Sequence, residues 1–100
     1  MAEKRIVWHE NAIVDLKSIC DYFNKRNGSR KYSTKLVSEI KEILILVSEN
    51  IELGIKTTTF NYIRAIIKDN YKIFYQIKTT EIEILSIWDC RQNPEKNKFL

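Results

Sequence analysis

The chain has 100 residues, of which 44% are hydrophobic and 30% charged; that is enough apolar material for one packed core and too much for a disordered chain. A formal net charge of +4 permits contact with nucleic acid but excludes the Lys/Arg flood of a histone-like protein. Each half of the chain carries two more Lys/Arg than Asp/Glu, so a basic patch has to be assembled by folding.

No linker, repeat or low-complexity tract interrupts the sequence, and a single domain over 1–100 is expected. Arg5–Trp8 suits a short first strand. From about Glu10 the period changes. Ala12, Ile13, Leu16, Ile19, Cys20 and Phe23 recur at three- and four-residue steps, as one face of a helix requires. Asn27-Gly28 stops this helix, and Ser29 offers a capping oxygen to the next one. There Leu36, Ile40, Ile43, Leu44 and Val47 form the apolar stripe, with Lys35, Glu39 and Glu42 on the wet side. A turn this short predicts an antiparallel helical hairpin. The second helix fades over Ser48–Asn50, and Gly54 opens a loop running through Thr57, Thr58 and Thr59. Three strands rich in β-branched and aromatic residues follow, over Tyr62–Ile67, Tyr71–Ile77 and Ile82–Asp89. Pro94 ends the last of them, because proline cannot donate a ladder hydrogen bond. The fold class is therefore α+β: an N-terminal strand, a two-helix antiparallel hairpin, then three antiparallel strands in a small sheet.

Parity sorts the strand residues by face. Tyr71, Ile73, Tyr75 and Ile77 should meet the helices. Ile63, Ala65 and Ile67 join them if Lys68-Asp69-Asn70 is a three-residue loop. With Thr79-Thr80 as the next turn, Ile82 and Ile84 pair with Ile77 and Tyr75, and Ser86, Trp88 and Cys90 continue on the core side. The opposite face then collects Tyr62, Arg64 and Ile66, then Lys72, Phe74 and Gln76, then Leu85, Ile87, Asp89 and Arg91. Arg64, Lys72 and Arg91 would share one surface, and a one-residue slip in either hairpin would scatter them. So apolar a face should not be left wet.

Cys20 and Cys90 show no metal-binding spacing, so neither a zinc site nor a cofactor is implied. Cys20 reads as a buried small side chain. Two ordinary cysteines and no signal peptide point to the cytoplasm. The longest apolar run, Ile43–Val47, is too short to span a membrane.

The order of elements, the Asn-Gly-Ser between the helices, NYIRAIIKDNYKIFYQI (61–77) and EIEILSIWDCRQNPEK (81–96) together resemble the RelE/ParE superfamily, the toxin halves of bacterial type II toxin–antitoxin modules. The resemblance covers about Ile6 to Lys96. It implies a growth-inhibiting toxin that is wrapped by a cognate antitoxin in a hetero-oligomer. RelE-like members cleave ribosome-bound mRNA with basic residues on the sheet face and a tyrosine or histidine near the C-terminus. ParE-like members bind DNA gyrase, trap its cleaved-DNA state and have no catalytic site. Lys72 stands where the RelE motif has an arginine, Arg91 matches the arginine after the last strand, and Arg64 lies near that motif's paired lysines. No tyrosine or histidine follows Arg91.

RNA cleavage by 2′-OH attack needs a base, cations for the phosphorane charge and an acid for the leaving oxygen. Arg64 and Arg91 suit the cationic role, and Lys72 could be the base if nearby positive charge lowers its pKa. Those three are the catalytic candidates for mRNA cleavage, the favoured reading; the alternatives are a gyrase-binding toxin, with its activity on the helical hairpin, and an inactive member kept as an antitoxin-binding module. Tyr62 and Phe74 are candidates for stacking on a base or seating the antitoxin. Asp89 is grouped with them as a candidate substrate or antitoxin contact and is expected to pair locally with Arg91 or to cap the turn, and His9 is expected to act as a polar residue at the start of the first helix.

Overall fold

The computed structural model describes residues 4–57 and 63–91. Their order is β1 (Arg5–Trp8), α1 (Glu10–Asn27), α2 (Lys31–Glu49), β2 (Ile55–Lys56), β3 (Ile63–Lys68), β4 (Tyr71–Ile77) and β5 (Glu81–Asp89). The strands form one mixed sheet in the order β1-β5-β4-β3-β2. β1 lies parallel to β5, and the other pairs are antiparallel. The α+β architecture matches the sequence reading, with β2 added where a loop was expected. Thr58, Thr59, Tyr62 and Pro94 lie outside the described residues.

Helix α1 begins at His9, whose Nδ1 accepts the Asn11 N–H at 3.0 Å. It ends at Gly28, whose φ of 64° is a left-handed conformation that glycine adopts without a Cβ clash. Ser29 Oγ accepts the Lys31 N–H at 3.1 Å, serving the start of α2 from one residue outside its cap. Ala12, Ile19 and Phe23 of α1 and Leu36, Ile40, Leu44 and Val47 of α2 are buried against Tyr71, Ile73, Tyr75, Ile82, Ile84 and Ile87. The stripe of α1 is narrower than its spacing suggests: Ile13 is 53% exposed, and Cys20 is only partly buried.

Two local events reset the predicted faces. Lys68 pairs with Tyr71 and Ile66 with Ile73, so the β3–β4 turn is the two residues Asp69-Asn70 rather than three. Asp69 takes φ 53° there, a conformation that a short polar side chain tolerates. The shift by one residue sends Ile63 and Ala65 to the far face with Phe74 and brings Arg64 and Ile66 to the helix side. The second event is a bulge in β5. Tyr75 pairs with Ile84 but Phe74 with Ser86, which leaves Leu85 as the extra residue. Beyond it the parity reverses. Ile87 enters the core, Trp88 joins Phe74 and Leu85 on the far face, and Asp89 lies opposite Tyr71. Cys90, expected as a core filler, is exposed.

A bulge removes backbone groups from the ladder. Here Asp15 of α1 takes the freed donor. Its Oδ2 accepts the Ile87 N–H at 3.1 Å and the Ser86 hydroxyl at 2.9 Å. The loop after α2 is held in a comparable way from β4. Gly54 N–H donates to Tyr75 Oη at 2.8 Å, and that hydroxyl donates to the Ile51 carbonyl at 3.1 Å. A Cβ on Gly54 would lie 2.5 Å from Tyr75 Oη and 2.9 Å from the Ala65 carbonyl oxygen, so only glycine fits this close approach.

Asp15→Ala leaves the Ile87 N–H without a partner and should lower stability by about 1–3 kcal/mol, with Asp15→Asn, which keeps an acceptor, losing less; urea unfolding of the two variants checks the order. Gly54→Ala must push back either the buried Tyr75 ring or β3 and should cost roughly 1–3 kcal/mol in the same assay.

Candidate functional site

The fold does not gather the three predicted cations. Lys72 projects to the far face, opposite Trp88 in β5 and Ile67 in β3. Arg64 pairs with Tyr75 on the helix side, where its Nη1 donates to the Gly54 carbonyl at 2.7 Å; it ties down the loop between α2 and β2. Arg91 follows β5, and its guanidinium carbon lies 5.9 Å from the centre of the Tyr71 ring. Arg64 and Arg91 thus share a side of the sheet with β4 between them, and Tyr75 and Tyr71 are four residues apart, roughly 13 Å along the strand. The expected common surface is lost to the short β3–β4 turn, which reverses Arg64, and to the β5 bulge, which reverses Arg91. Phe74 does face away from the helices, but it is 1% exposed, so its ring is not an open stacking platform. Burial of Phe74 and Ile63 accords with the expectation that this face is not left wet. Tyr62 lies outside the described residues.

What the structure does assemble is a cleft of about 610 Å³ between α1 and the end of β5. Tyr22, Phe23 and Arg26 line it from the helix, and Ile87, Asp89 and Arg91 from the strand side. Arg91 is gripped by the Asp89 carboxylate through two side-chain bonds, Nε to Oδ1 at 2.9 Å and Nη2 to Oδ2 at 2.7 Å, and its backbone N–H also donates to Oδ1. This is the local pairing expected for Asp89. The fork holds the planar guanidinium 5.3 Å from the centre of the Phe23 ring, a cation–π distance. Behind it, Tyr71 and Tyr32 share a hydroxyl hydrogen bond of 2.8 Å, and the Phe23 and Tyr32 rings are 4.4 Å apart. The sequence reading missed this aromatic–basic lining on α1. The signal was present as Tyr22, Phe23 and Arg26 at helical spacing beside Asp15, a carboxylate within the apolar stripe.

Ionisation in this corner is pushed away from neutrality. Burial, then the Tyr32 hydroxyl, raises Tyr71. The Asp89 carboxylate raises Arg91, and the Arg91 guanidinium holds Asp89 below the usual carboxylate range. None of the three is poised to exchange a proton near pH 7, as general acid–base catalysis asks. An arginine set among aromatic rings suits recognition of a partner surface.

Because the folded pKa of Asp89 is depressed, its pair with Arg91 contributes stability in full above the ordinary carboxylate value of about 4, and the contribution is lost as pH falls through the lower folded value. Asp89→Asn should therefore melt below the parent at pH 7, and the gap between their melting temperatures should close as pH drops from about 4 to 2.

The sequence profile of the family described as "ParE toxin of type II toxin-antitoxin system, parDE" matches residues 6–94. Among solved structures, one described as "Chromosomal ParDE TA system from P. aeruginosa" is similar with a TM-score of 0.71 and 22% identity, over 85% of this chain and 94% of that one; the likeness is one of fold. No curated protein sequence matches the chain. With its profile match running from β1 past the end of β5, this chain belongs to the ParE toxin family of type II toxin–antitoxin systems.

Proposed function

We propose that this chain inhibits growth by binding DNA gyrase rather than by cutting ribosome-bound mRNA, and that a cognate antitoxin neutralises it. The observation that carries the choice is the dispersal of Lys72, Arg64 and Arg91 over two faces and two ends of the sheet. Phosphoryl chemistry needs its cations around one phosphate, and this arrangement offers each of them separately. Arg64 is spent on the Gly54 loop, and Arg91 is paired with Asp89. A toxin that works by binding needs no proton-transfer pair, which agrees with a cleft whose titrating groups move away from neutrality. The aromatic and arginine side chains along α1 supply the kind of surface on which protein partners concentrate binding energy. Among the described residues no helix is long and apolar enough to cross a membrane.

Purified protein should inhibit gyrase supercoiling at micromolar concentration and accumulate cleaved plasmid. Lys72→Ala should remain fully toxic on induced expression, and ribosome profiling should show no new breaks in mRNA. Intact supercoiling together with fresh mRNA cleavage on ribosomes would reverse the assignment.

A further inference from the structure

The turn of the helical hairpin concentrates positive charge. Residues 25–35, KRNGSRKYSTK, hold the five cations Lys25, Arg26, Arg30, Lys31 and Lys35 and no Asp or Glu. The whole chain has a net charge of +4, so the rest of it is close to neutral, and the even split between its halves conceals a strongly basic tip. All five residues are exposed. None is in an ion pair among the described residues. The nearest carboxylates in the chain, Asp21 and Glu39, lie about a helical turn beyond the stretch on either side, and Glu39 is already held by Lys68 at 2.8 Å.

The fold gains little from this arrangement. Lys25 and Arg26 complement the C-terminal end of the α1 dipole. Helix α2, however, has no acid in its first turn and starts from Arg30 and Lys31, against its own dipole. Lys31 and Lys35, four residues apart on one helix, repel each other. Arg26 also lines the cleft that contains Arg91, so the positive surface continues from the tip towards the end of β5. The tip carries one ring, Tyr32, and Tyr71 already holds its hydroxyl. A protein hot spot asks for desolvated aromatic or aliphatic anchors, and a single strand of nucleic acid asks for open rings on which its bases stack. The phosphate backbone of a duplex asks only for cations.

We propose that the hairpin tip is a contact surface for the phosphate backbone of double-stranded DNA, with Arg30, Lys31 and Lys35 of α2 and Lys25 of α1 as the phosphate ligands. The contact is independent of base sequence, because side chains that meet only phosphates read no base edges. The gyrase reading, on which this step rests for the source of the DNA, supplies a duplex held beside the toxin. The Arg91 cleft is then turned to the protein and the tip to the nucleic acid.

The test is fluorescence anisotropy of a labelled duplex of about 20 base pairs, titrated with the full chain at several salt concentrations and without gyrase. The parent should bind at low salt and weaken steeply as salt rises. Arg30→Ala, Lys31→Ala and Lys35→Ala combined leave the Arg91 cleft untouched. This triple variant should bind at least about ten-fold more weakly, and its salt slope should fall by about 2–3. Lys17→Ala combined with Lys56→Ala, which removes exposed cations away from the tip, should bind like the parent. The proposal is overturned if the parent does not bind the duplex, if the triple variant binds it equally well, or if the Lys17 and Lys56 variant loses as much. Tighter binding of a single-stranded RNA of the same length would overturn it too and assign the tip to RNA. Cleaved-plasmid accumulation with gyrase separates the two readings: duplex binding without gyrase poisoning sinks the gyrase target alone, and gyrase poisoning without duplex binding sinks the tip contact alone.

Discussion

The arrangement of this protein's surface depends on one carboxylate. Asp15 reaches from α1 to the Ile87 N–H and the Ser86 hydroxyl, and so satisfies the backbone donor that the bulge at Leu85 removes from the ladder. A buried donor without a partner would cost about 1–3 kcal/mol, enough to favour a regular strand. With Asp15 in place the bulge is stable, and the residues from Ile87 onward change sides. Ile87 joins the core, Trp88 leaves it, and Asp89 and Arg91 are delivered to the rings of Tyr71 and Phe23. The aromatic–arginine cleft is a consequence of that single contact between helix and strand.

The second constraint lies at the other end of β4. Tyr75 carries a hydroxyl into the core, where it accepts from Gly54 and donates to Ile51; burial raises its pKa, and the Gly54 N–H partly offsets the rise. Arg64 completes the closure through the Gly54 carbonyl. An arginine that the sequence offered as a cation for phosphate is here part of the architecture. Its charge anchors the chain between α2 and β2, just before the edge strand that completes the sheet. The protein thus uses its positive side chains one by one, as a loop anchor and as half of an ion pair over aromatic rings.

How much was legible can be read from particular elements. The periodicity of 12–23 and 36–47 placed both helices, Asn27-Gly28 placed the break between them, and alternation placed β4, because each signal is local. The Thr79-Thr80 turn and the Ile77–Ile82 pairing also followed from pattern alone. The failures were of register. Lys68-Asp69-Asn70 reads equally well as a three- or a two-residue connection, since Asp69 tolerates a positive φ that the sequence does not announce. The bulge was invisible because its support comes from Asp15, far away in the chain. Strand β2 is two residues long and exists through its pairing with β3, so it leaves no periodic trace.

By itself, then, the sequence determined the number and kind of the main elements, the helical hairpin, the identity of most core residues and the family resemblance, because these rest on spacing between near neighbours. Only the tertiary structure decided which face each functional side chain occupies. Side-chain direction in a strand has a period of two, so a shift of one residue reverses every position beyond it. Such shifts are set by contacts between distant segments: Asp15 with Ile87, and the β3–β4 register with its two-residue turn.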